Sequence, residues 1–159
     1  MVRPFCRASG NGGDSPLIRI LRAETEAARA ACFAVRRAVF IEEQCIDEAE
    51  EWDADDATCL HYLAEDEAGP LGTARLIARG TEAKIGRVAV MARARGTGLG
   101  RRIMDHLLID ARAEGFSTAM LESQVSVIGF YEGLGFVAEG SDYDDGSGIL
   151  HRVMRRPLG

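Results

Sequence analysis

The stretch Arg95–Gly100 (RGTGLG) constrains the fold more than any other part of this sequence. Three of its six residues are glycine, and it lies between an apolar run, Ile85–Val90, and a helix-like run, Arg101–Gly115. Glycine where a strand leads into a helix lets the backbone approach a ligand closely, and the first N–H groups of a helix have no partner within it. The stretch therefore predicts an anion site in which backbone N–H groups bind phosphate.

The spacing of these glycines fits neither of two common nucleotide-binding motifs. A P-loop ends in Gly-Lys-Ser/Thr, whereas Gly100 is followed by Arg101 and Arg102. A dinucleotide fingerprint reads G-x-G-x-x-G near the start of a chain, whereas the spacing here is G-x-G-x-G after the fourth predicted strand. The predicted anion site remains, and Arg95 adds a third positive charge beside it.

Length and charge restrict the class of protein. A chain of 159 residues is long enough for one domain with a hydrophobic core, and its 47% hydrophobic and 28% charged residues are ordinary for a soluble protein. The formal net charge of −6 argues against a nucleic-acid partner, because binding nucleic-acid phosphates needs a basic face. No apolar run has the length of a membrane span and no secretory signal is recognisable, so we expect a cytoplasmic protein without a membrane partner.

Glycine and polar residues dominate residues 1–15, which we expect to form a flexible leader before a single domain over residues 16–159. The chain has no C-x-x-C pair, which favours free thiols for its four cysteines, Cys6, Cys32, Cys45 and Cys59. A metal site built from Cys45, Cys59 and His61 is conceivable, but their spacing fits no common zinc pattern. The sequence therefore predicts no metal.

Hydrophobic periodicity predicts the order strand, helix, three strands, helix, strand, helix and two strands. The predicted helices cover residues 24–44, 98–114 and 126–134, and the predicted strands cover residues 16–22, 60–64, 71–79, 83–91, 116–124, 136–139 and 149–155. The acidic segment 46–58 is expected to be a short helix or a loop. This order indicates an α/β (α+β) fold with one mixed sheet covered by helices on its faces.

Two segments in this frame resemble one family. Arg95–Gly100 matches the Q/R-x-x-G-x-G/A signature of the GNAT superfamily of acyl-CoA-dependent N-acetyltransferases, and the preceding IGRVAV resembles that family's cofactor-binding strand. Downstream, Val127–Phe136 (VIGFYEGLGF) resembles its second hallmark, a helix carrying FYxxLGF. Both occur in the family's order and together cover Ile85–Phe136. The resemblance implies a mostly antiparallel sheet flanked by helices on both faces.

A finer resemblance is to the ElaA-like branch of this superfamily. Its marks in this sequence are Ala38-Val39-Phe40, Glu43-Gln44, an acidic tract leading to His61, Gly86-Arg87-Val88, Gln124, Asp144-Asp145-Gly146 and His151. The branch typically has Cys-Pro shortly after the Glu-Gln pair. Here Cys45 follows that pair immediately and no proline is present, so we expect a different loop at this point.

The family resemblance implies acetyl-CoA as donor, a small-molecule or protein amine as acceptor, and direct attack of the amine in a ternary complex. It places the pyrophosphate on the backbone of Arg95, Gly96, Thr97, Gly98, Leu99 and Gly100 with Arg101 nearby. It places the pantetheine arm along Val88, Ala89 and Val90, near Phe130, as an added strand would lie. The N–H near Val88 could also polarise the thioester carbonyl.

Tyr131 is the candidate general acid that protonates the leaving thiolate. A phenol has a reference pKa of about 10 and a thiol about 8.5, so this proton transfer is not steeply uphill. The alternative is that Tyr131 belongs only to the apolar stripe of its helix. The strand before the glycine turn carries no carboxylate, so Glu122 on the next strand is the candidate general base, acting through a water. The alternatives are His61 and His151, which titrate near neutral pH, and loss of the amine proton to solvent.

The acceptor site implied by the resemblance contains Glu43, Gln44, His61, Gln124 and His151. The acidic tract 47–56 is expected to be a solvated loop, with attraction of cationic amines as the alternative. Two other functions remain open: a non-catalytic acyl-CoA sensor with the same fold, and a nucleotide-binding protein of another class. A homodimer also remains open.

Overall fold

The computed structural model describes residues 17–159, so the expected leader at residues 1–15 lies outside the described part of the chain. Seven strands form one sheet in the order β1-β2-β3-β4-β5-β7-β6. Their bounds are β1 Arg19–Arg22, β2 Leu60–Asp66, β3 Gly69–Arg79, β4 Glu82–Val90, β5 Thr118–Gln124, β6 Val137–Asp144 and β7 Leu150–Pro157. None of the helices formed by the described residues has the length and apolarity needed to cross a membrane.

The helices lie between these strands in the predicted order. The α-helices of the described chain are α1 Glu26–Arg36, α2 Glu48–Glu51, α3 Leu99–Ala113 and α4 Ile128–Glu132. A π-helix, Arg37–Glu43, continues α1, and single 3₁₀ turns cover Ala54–Ala57, Ala92–Ala94 and Val125–Val127. β6 extends beyond its predicted segment because Tyr143 and Asp144 still pair with His151 and Leu150 after an irregularity in the ladder. β7 extends to Pro157 because Arg156 and Pro157 pair with β5.

The sheet is mixed and mostly antiparallel, as predicted. Only β4 and β5 run parallel, because α3 carries the chain back across the sheet between them. Tyr62 and Leu63 are consecutive in β2 and therefore point to opposite faces. Tyr62 packs in the cluster that contains Ile103 and Leu107 of α3, whereas Leu63 packs with Cys32 of α1. Helices thus cover both faces of the sheet.

The helix predicted over residues 24–44 changes its hydrogen bonding halfway along. Thr25 caps α1 by accepting a bond from the Ala28 N–H, and from Arg37 the helix widens into π geometry. The Gln44 N–H donates to the Val39 carbonyl over 3.1 Å, five residues back. Such turns are rare and frequently lie at functional sites, and this one turns Gln44 toward the sheet.

The acidic tract is solvated only in part, because residues 47–50 are exposed whereas Glu51 is buried. Arg36, with 1% of its side chain exposed, donates through Nε to Glu51 Oε2 over 2.8 Å and through Nη1 to Asp56 Oδ1 over 2.7 Å. Arg75 of β3 donates through Nη1 to Asp53 Oδ1 over 2.7 Å. Carboxylates at these three positions neutralise arginines that the fold buries, and they attach the segment to the sheet.

Candidate active site

A cleft opens where β4 and β5 separate. Their last paired residues are Ile85 and Leu121, and beyond them β4 keeps only its pairing with β3. The backbone of Gly86–Val90 therefore presents N–H and C=O groups without a β5 partner along one edge. The cleft has a volume of about 680 Å³ and is lined by both strands, the π-helix and α4.

A bulge in β4 shapes the wall of this cleft. Thr73 pairs with Ala89 and Arg75 pairs with Gly86, so β4 has one residue more than β3 in this interval. Arg87 lies in the bulge with φ 52°, a left-handed conformation that is uncommon for a residue other than glycine. Its Nη2 donates to the Glu51 carbonyl over 2.9 Å, and this anchors the bulge to the acidic segment.

The glycine turn ends at a helix start with free N–H groups. Gly96 and Gly98 have φ values of 77° and 84°, and Gly98 is the N-cap of α3 with no side-chain cap bond. The Thr97 hydroxyl donates to the Ala94 carbonyl over 2.6 Å, and Leu99 is 2% exposed in the core. The turn between Arg95 and Gly100 therefore offers backbone N–H groups rather than side chains to an anion.

Arg95 lines the cleft but is already engaged. Its guanidinium forms a two-bond ion pair with Glu43, and its Nε donates to the Val90 carbonyl over 2.9 Å. The hydrogen bonds from Arg95 hold the pKa of Glu43 below its usual range. A ligand amide that bonds the Val90 carbonyl would have to displace Arg95. Arg101 is 60% exposed, with its nearest carboxylate, Asp105, at 3.9 Å and the Gly133 carbonyl 3.5 Å from its Nη1.

Tyr131 lies on α4 at the opposite wall of the cleft. Its ring packs edge-on against Phe130, with centroids 4.9 Å apart, and against Phe136, with centroids 6.1 Å apart. Burial raises the pKa of Tyr131 to about 12. The phenol therefore keeps its proton over the whole physiological range, as a general acid must, but it is a weaker acid than the reference phenol. Tyr131 therefore packs in the hydrophobic core and also lines the cleft.

Glu122 of β5 faces the cleft between two hydrogen-bond donors. The Tyr143 hydroxyl donates to its Oε2, and Lys84 Nζ lies 3.1 Å from its Oε1. Burial raises the pKa of Glu122, but the bonds from Tyr143 and Lys84 outweigh burial and hold it below the usual range. A carboxylate held in its ionised form in this way is a weak proton acceptor.

His151 of β7 lies at the same end of the cleft, and its imidazole is oriented. Nδ1 lies 2.8 Å from the Ile149 carbonyl, so Nδ1 carries the proton of the neutral ring and Nε2 has a free lone pair. Asp145 Oδ2 lies 3.6 Å from the same Nδ1. Across the cleft, Gln124 Nε2 donates to Gln44 Oε1 over 2.9 Å. Four predicted acceptor-site residues therefore meet in one cleft: Glu43, Gln44, Gln124 and His151.

His61 is separated from the other predicted acceptor residues. It is 3% exposed, its Nε2 lies 2.9 Å from the Asp56 carbonyl, and it lines a second cavity of about 670 Å³. Asp56, Cys59 and His61 offer donor atoms within 4.8 Å of one another, the only such group among the described residues. The Asp56 carboxylate is bound by Arg36 and Arg75, however, and a cation would have to displace both guanidinium groups.

The fold of this chain matches that of several solved structures. An acyl-CoA N-acyltransferase from Pseudomonas aeruginosa superposes with a TM-score of 0.77 at 28% identity, covering 89% of this chain and 99% of that one. ElaA from Escherichia coli superposes with a TM-score of 0.77 at 26% identity over the same shares of the two chains. The fold is that of the GNAT acyl-CoA N-acyltransferases.

Sequence comparison assigns the family. The YyaT protein of Bacillus subtilis is 33% identical over 144 residues, which cover 89% of this chain and 97% of YyaT. The model of the acetyltransferase (GNAT) family matches residues 22–136. This chain belongs to the GNAT acetyltransferase family, in agreement with the resemblance of its two motifs.

Sequence reasoning missed several residues of the cleft. Tyr143, whose hydroxyl donates to Glu122 at the cleft, lies in a part of β6 that the sequence did not predict as strand. Lys84 has no role assigned from the sequence, and Arg87 appears there only within a family mark. Asp145 was noted as a family mark without a role. The one local signal was the composition of residues 84–87, where a lysine and an arginine interrupt an otherwise apolar strand.

Proposed function

We propose that this protein transfers an acetyl group from acetyl-CoA to a primary amine, by direct attack in a ternary complex within the β4–β5 cleft. The observation that carries the proposal is the edge of β4 without a β5 partner, which leads through the 3₁₀ turn Ala92–Ala94 into the glycine turn and the uncapped N-terminus of α3. These features form one continuous backbone surface that fits an extended ligand with phosphate at one end.

On this surface the pyrophosphate lies at the N–H groups of Gly96–Gly100 and the pantetheine amides lie along Val88–Val90. The bulge at Arg87 turns the backbone at the point where the thioester arrives. An N–H directed into the cleft there would stabilise negative charge on the carbonyl oxygen as the tetrahedral intermediate forms. The side chains of Val88, Ala89 and Val90 pack in the core, so they hold this edge rigid.

The acceptor amine binds at the end of the cleft that holds Glu122 and His151. Neutral His151 fits the role of general base, because its Nδ1–H is fixed and its Nε2 is free to accept a proton. Glu122, the carboxylate that the sequence favoured, fits a second role, which is to attract and orient the ammonium group. Tyr131, on the opposite wall, then protonates the departing thiolate.

The proposal is tested by release of free thiol from acetyl-CoA with a panel of amines: monoamines, polyamines, amino acids and peptides with a free N-terminus. We expect at least one class to accelerate thiol release and to gain one acetyl group in the product. Saturable acetyl-CoA binding without thiol release for any class would instead support the acyl-CoA sensor. Preferential binding of NAD or ATP would support the nucleotide-binding alternative.

A further inference from the structure

Lys84 is the only lysine in the sequence, and it lies in the candidate active site. Its Nζ is 3.1 Å from Glu122 Oε1, and 33% of its side chain is exposed to the cleft. Lys84 pairs with Met120, one residue before the last β4–β5 pair. The amine therefore lies at the closed end of the cleft, while the glycine turn lies beyond Val90 at its open end.

The order of these features along β4 directs an acyl group toward this amine. Val90 and Gly86 are separated by about 13 Å, at about 3.3 Å per strand residue. A donor held by its phosphates at the glycine turn and extended along β4 therefore presents its acyl end near Gly86, on the side of Lys84. We propose that Lys84 is a self-acetylation site, whose Nζ accepts the acetyl group from acetyl-CoA bound to the same chain.

The proposal rests on the proposed function, because it needs acetyl-CoA in the cleft. The Lys84 ammonium first loses a proton to solvent, and the nitrogen lone pair attacks the thioester carbonyl carbon. A C–N bond forms, the C–S bond breaks, and the thiolate takes the phenol proton of Tyr131. The proton left on the new amide nitrogen returns to the Tyr131 phenolate. The products are acetyl-lysine, coenzyme A and one proton in solvent.

Glu122 positions the Lys84 amine for this reaction. The carboxylate fixes the position of Nζ at the closed end of the cleft, so the amine does not have to be captured from solution. Acetylation then removes the cation that pairs with Glu122 and leaves Tyr143 as its remaining donor. The modified cleft would carry one positive charge less beside the acceptor amine.

The test uses the full chain, acetyl-CoA and intact-mass spectrometry, followed by peptide mapping. We expect one increment of about 42 Da, the mass of one acetyl group in place of one hydrogen, located on Lys84. The first-order rate constant should not depend on protein concentration, and an excess of coenzyme A should slow the reaction at least about tenfold by occupying the site. The matched variant Lys84→Arg keeps a cation beside Glu122 but offers no amine, and it should gain no acetyl group in the cleft.

Several results would overturn self-acetylation. If Lys84 stays unmodified in a preparation that acetylates a small amine, self-acetylation is ruled out and the proposed function stands. If excess coenzyme A does not slow acetylation, the acetyl group comes from uncatalysed reaction with acetyl-CoA in solution. The same conclusion holds if the urea-unfolded chain is acetylated equally fast. A rate constant that rises with protein concentration means modification between molecules. Failure of both acetyl-CoA binding and thiol release removes both proposals together.

Discussion

Removing the Tyr131 hydroxyl tests catalysis separately from acetyl-CoA binding. Its pKa of about 12 keeps it protonated, so Tyr131→Phe removes the proton donor while the ring stays packed between Phe130 and Phe136. We expect kcat to fall about 100-fold, with little change in acetyl-CoA affinity. Ionisation of Tyr131 would remove activity only as the pH rises toward 12, so kcat should show no alkaline loss from this group at pH 7–9.

Tyr62 provides the matched control for this substitution. It is 1% exposed, and its hydroxyl donates to Asp110 Oδ2 over 2.6 Å on α3, outside the cleft. Tyr62→Phe should lower the free energy of unfolding by about 1 kcal/mol and leave kcat unchanged. Steady-state kinetics and thermal unfolding of both variants distinguish the two tyrosines. An unchanged kcat in Tyr131→Phe would remove its role as general acid.

His151 and Glu122 compete for the role of general base. The free Nε2 of His151 favours the imidazole, whereas the two donors on Glu122 make that carboxylate a poor proton acceptor. We expect His151→Gln to lower kcat/KM for the amine about 100-fold, and Glu122→Gln to lower it less than about tenfold, mainly through KM. The opposite ranking in rates measured at saturating acetyl-CoA would restore Glu122 as the base.

At the scale of one element, the β4 bulge depends on Arg87 in two separable ways. Its backbone adopts φ 52°, and its side chain holds the Glu51 carbonyl. Arg87→Gly removes the side chain but favours the same backbone conformation, whereas Arg87→Ala removes the side chain and disfavours that conformation. We expect kcat to fall about tenfold further in the alanine variant, because the misaligned bulge displaces the thioester. Equal kcat values in the two variants would show that the bulge conformation does not matter.

The acidic segment, including α2 and the 3₁₀ turn Ala54–Ala57, is a structural element held by Arg36. Removing Arg36 would leave the buried Glu51 with Arg87 Nε, at 3.1 Å, as its remaining partner, so Arg36→Ala should destabilise the protein by about 3 kcal/mol. The adjacent Arg37 pairs with Glu48 at the surface, where both side chains are about half exposed. Arg37→Ala should cost at most about 1 kcal/mol. Similar losses for both variants in denaturant unfolding would contradict this account of the segment.

The elements with regular patterns could be predicted from the sequence, and the irregular ones could not. The stripe Leu99, Ile103, Leu107 and Ala111 of α3 is buried as its spacing predicts, and Gly115 with φ 97° follows its end. The π-helix and the bulge are single-residue insertions that leave no periodic signal. The ion pairs between the acidic segment and the buried Arg36 and Arg75 escaped prediction because the partners lie 15–22 residues apart in the sequence.

For the whole molecule, the family and the mixed sheet followed from two motifs in a consistent order of elements, and the comparisons confirm both. The glycine turn at the start of α3 could be predicted because composition reveals it, and its binding of acetyl-CoA stays a prediction. The acceptor end of the candidate site could not, because its side chains come from β4, β5, β7 and the π-helix, which lie far apart in the sequence. Cytoplasmic location and a homodimer stay predictions.

Binding of acetyl-CoA tests the central claim most directly, because every proposed step requires acetyl-CoA in the β4–β5 cleft. We would measure thermal unfolding of the protein with acetyl-CoA, coenzyme A, NAD and ATP. A ligand present at about 100 times its dissociation constant should add about 2.7 kcal/mol to the free energy of unfolding. We predict stabilisation by acetyl-CoA and coenzyme A alone. Stabilisation by NAD or ATP instead, or by none of the four, would contradict the assignment of this cleft.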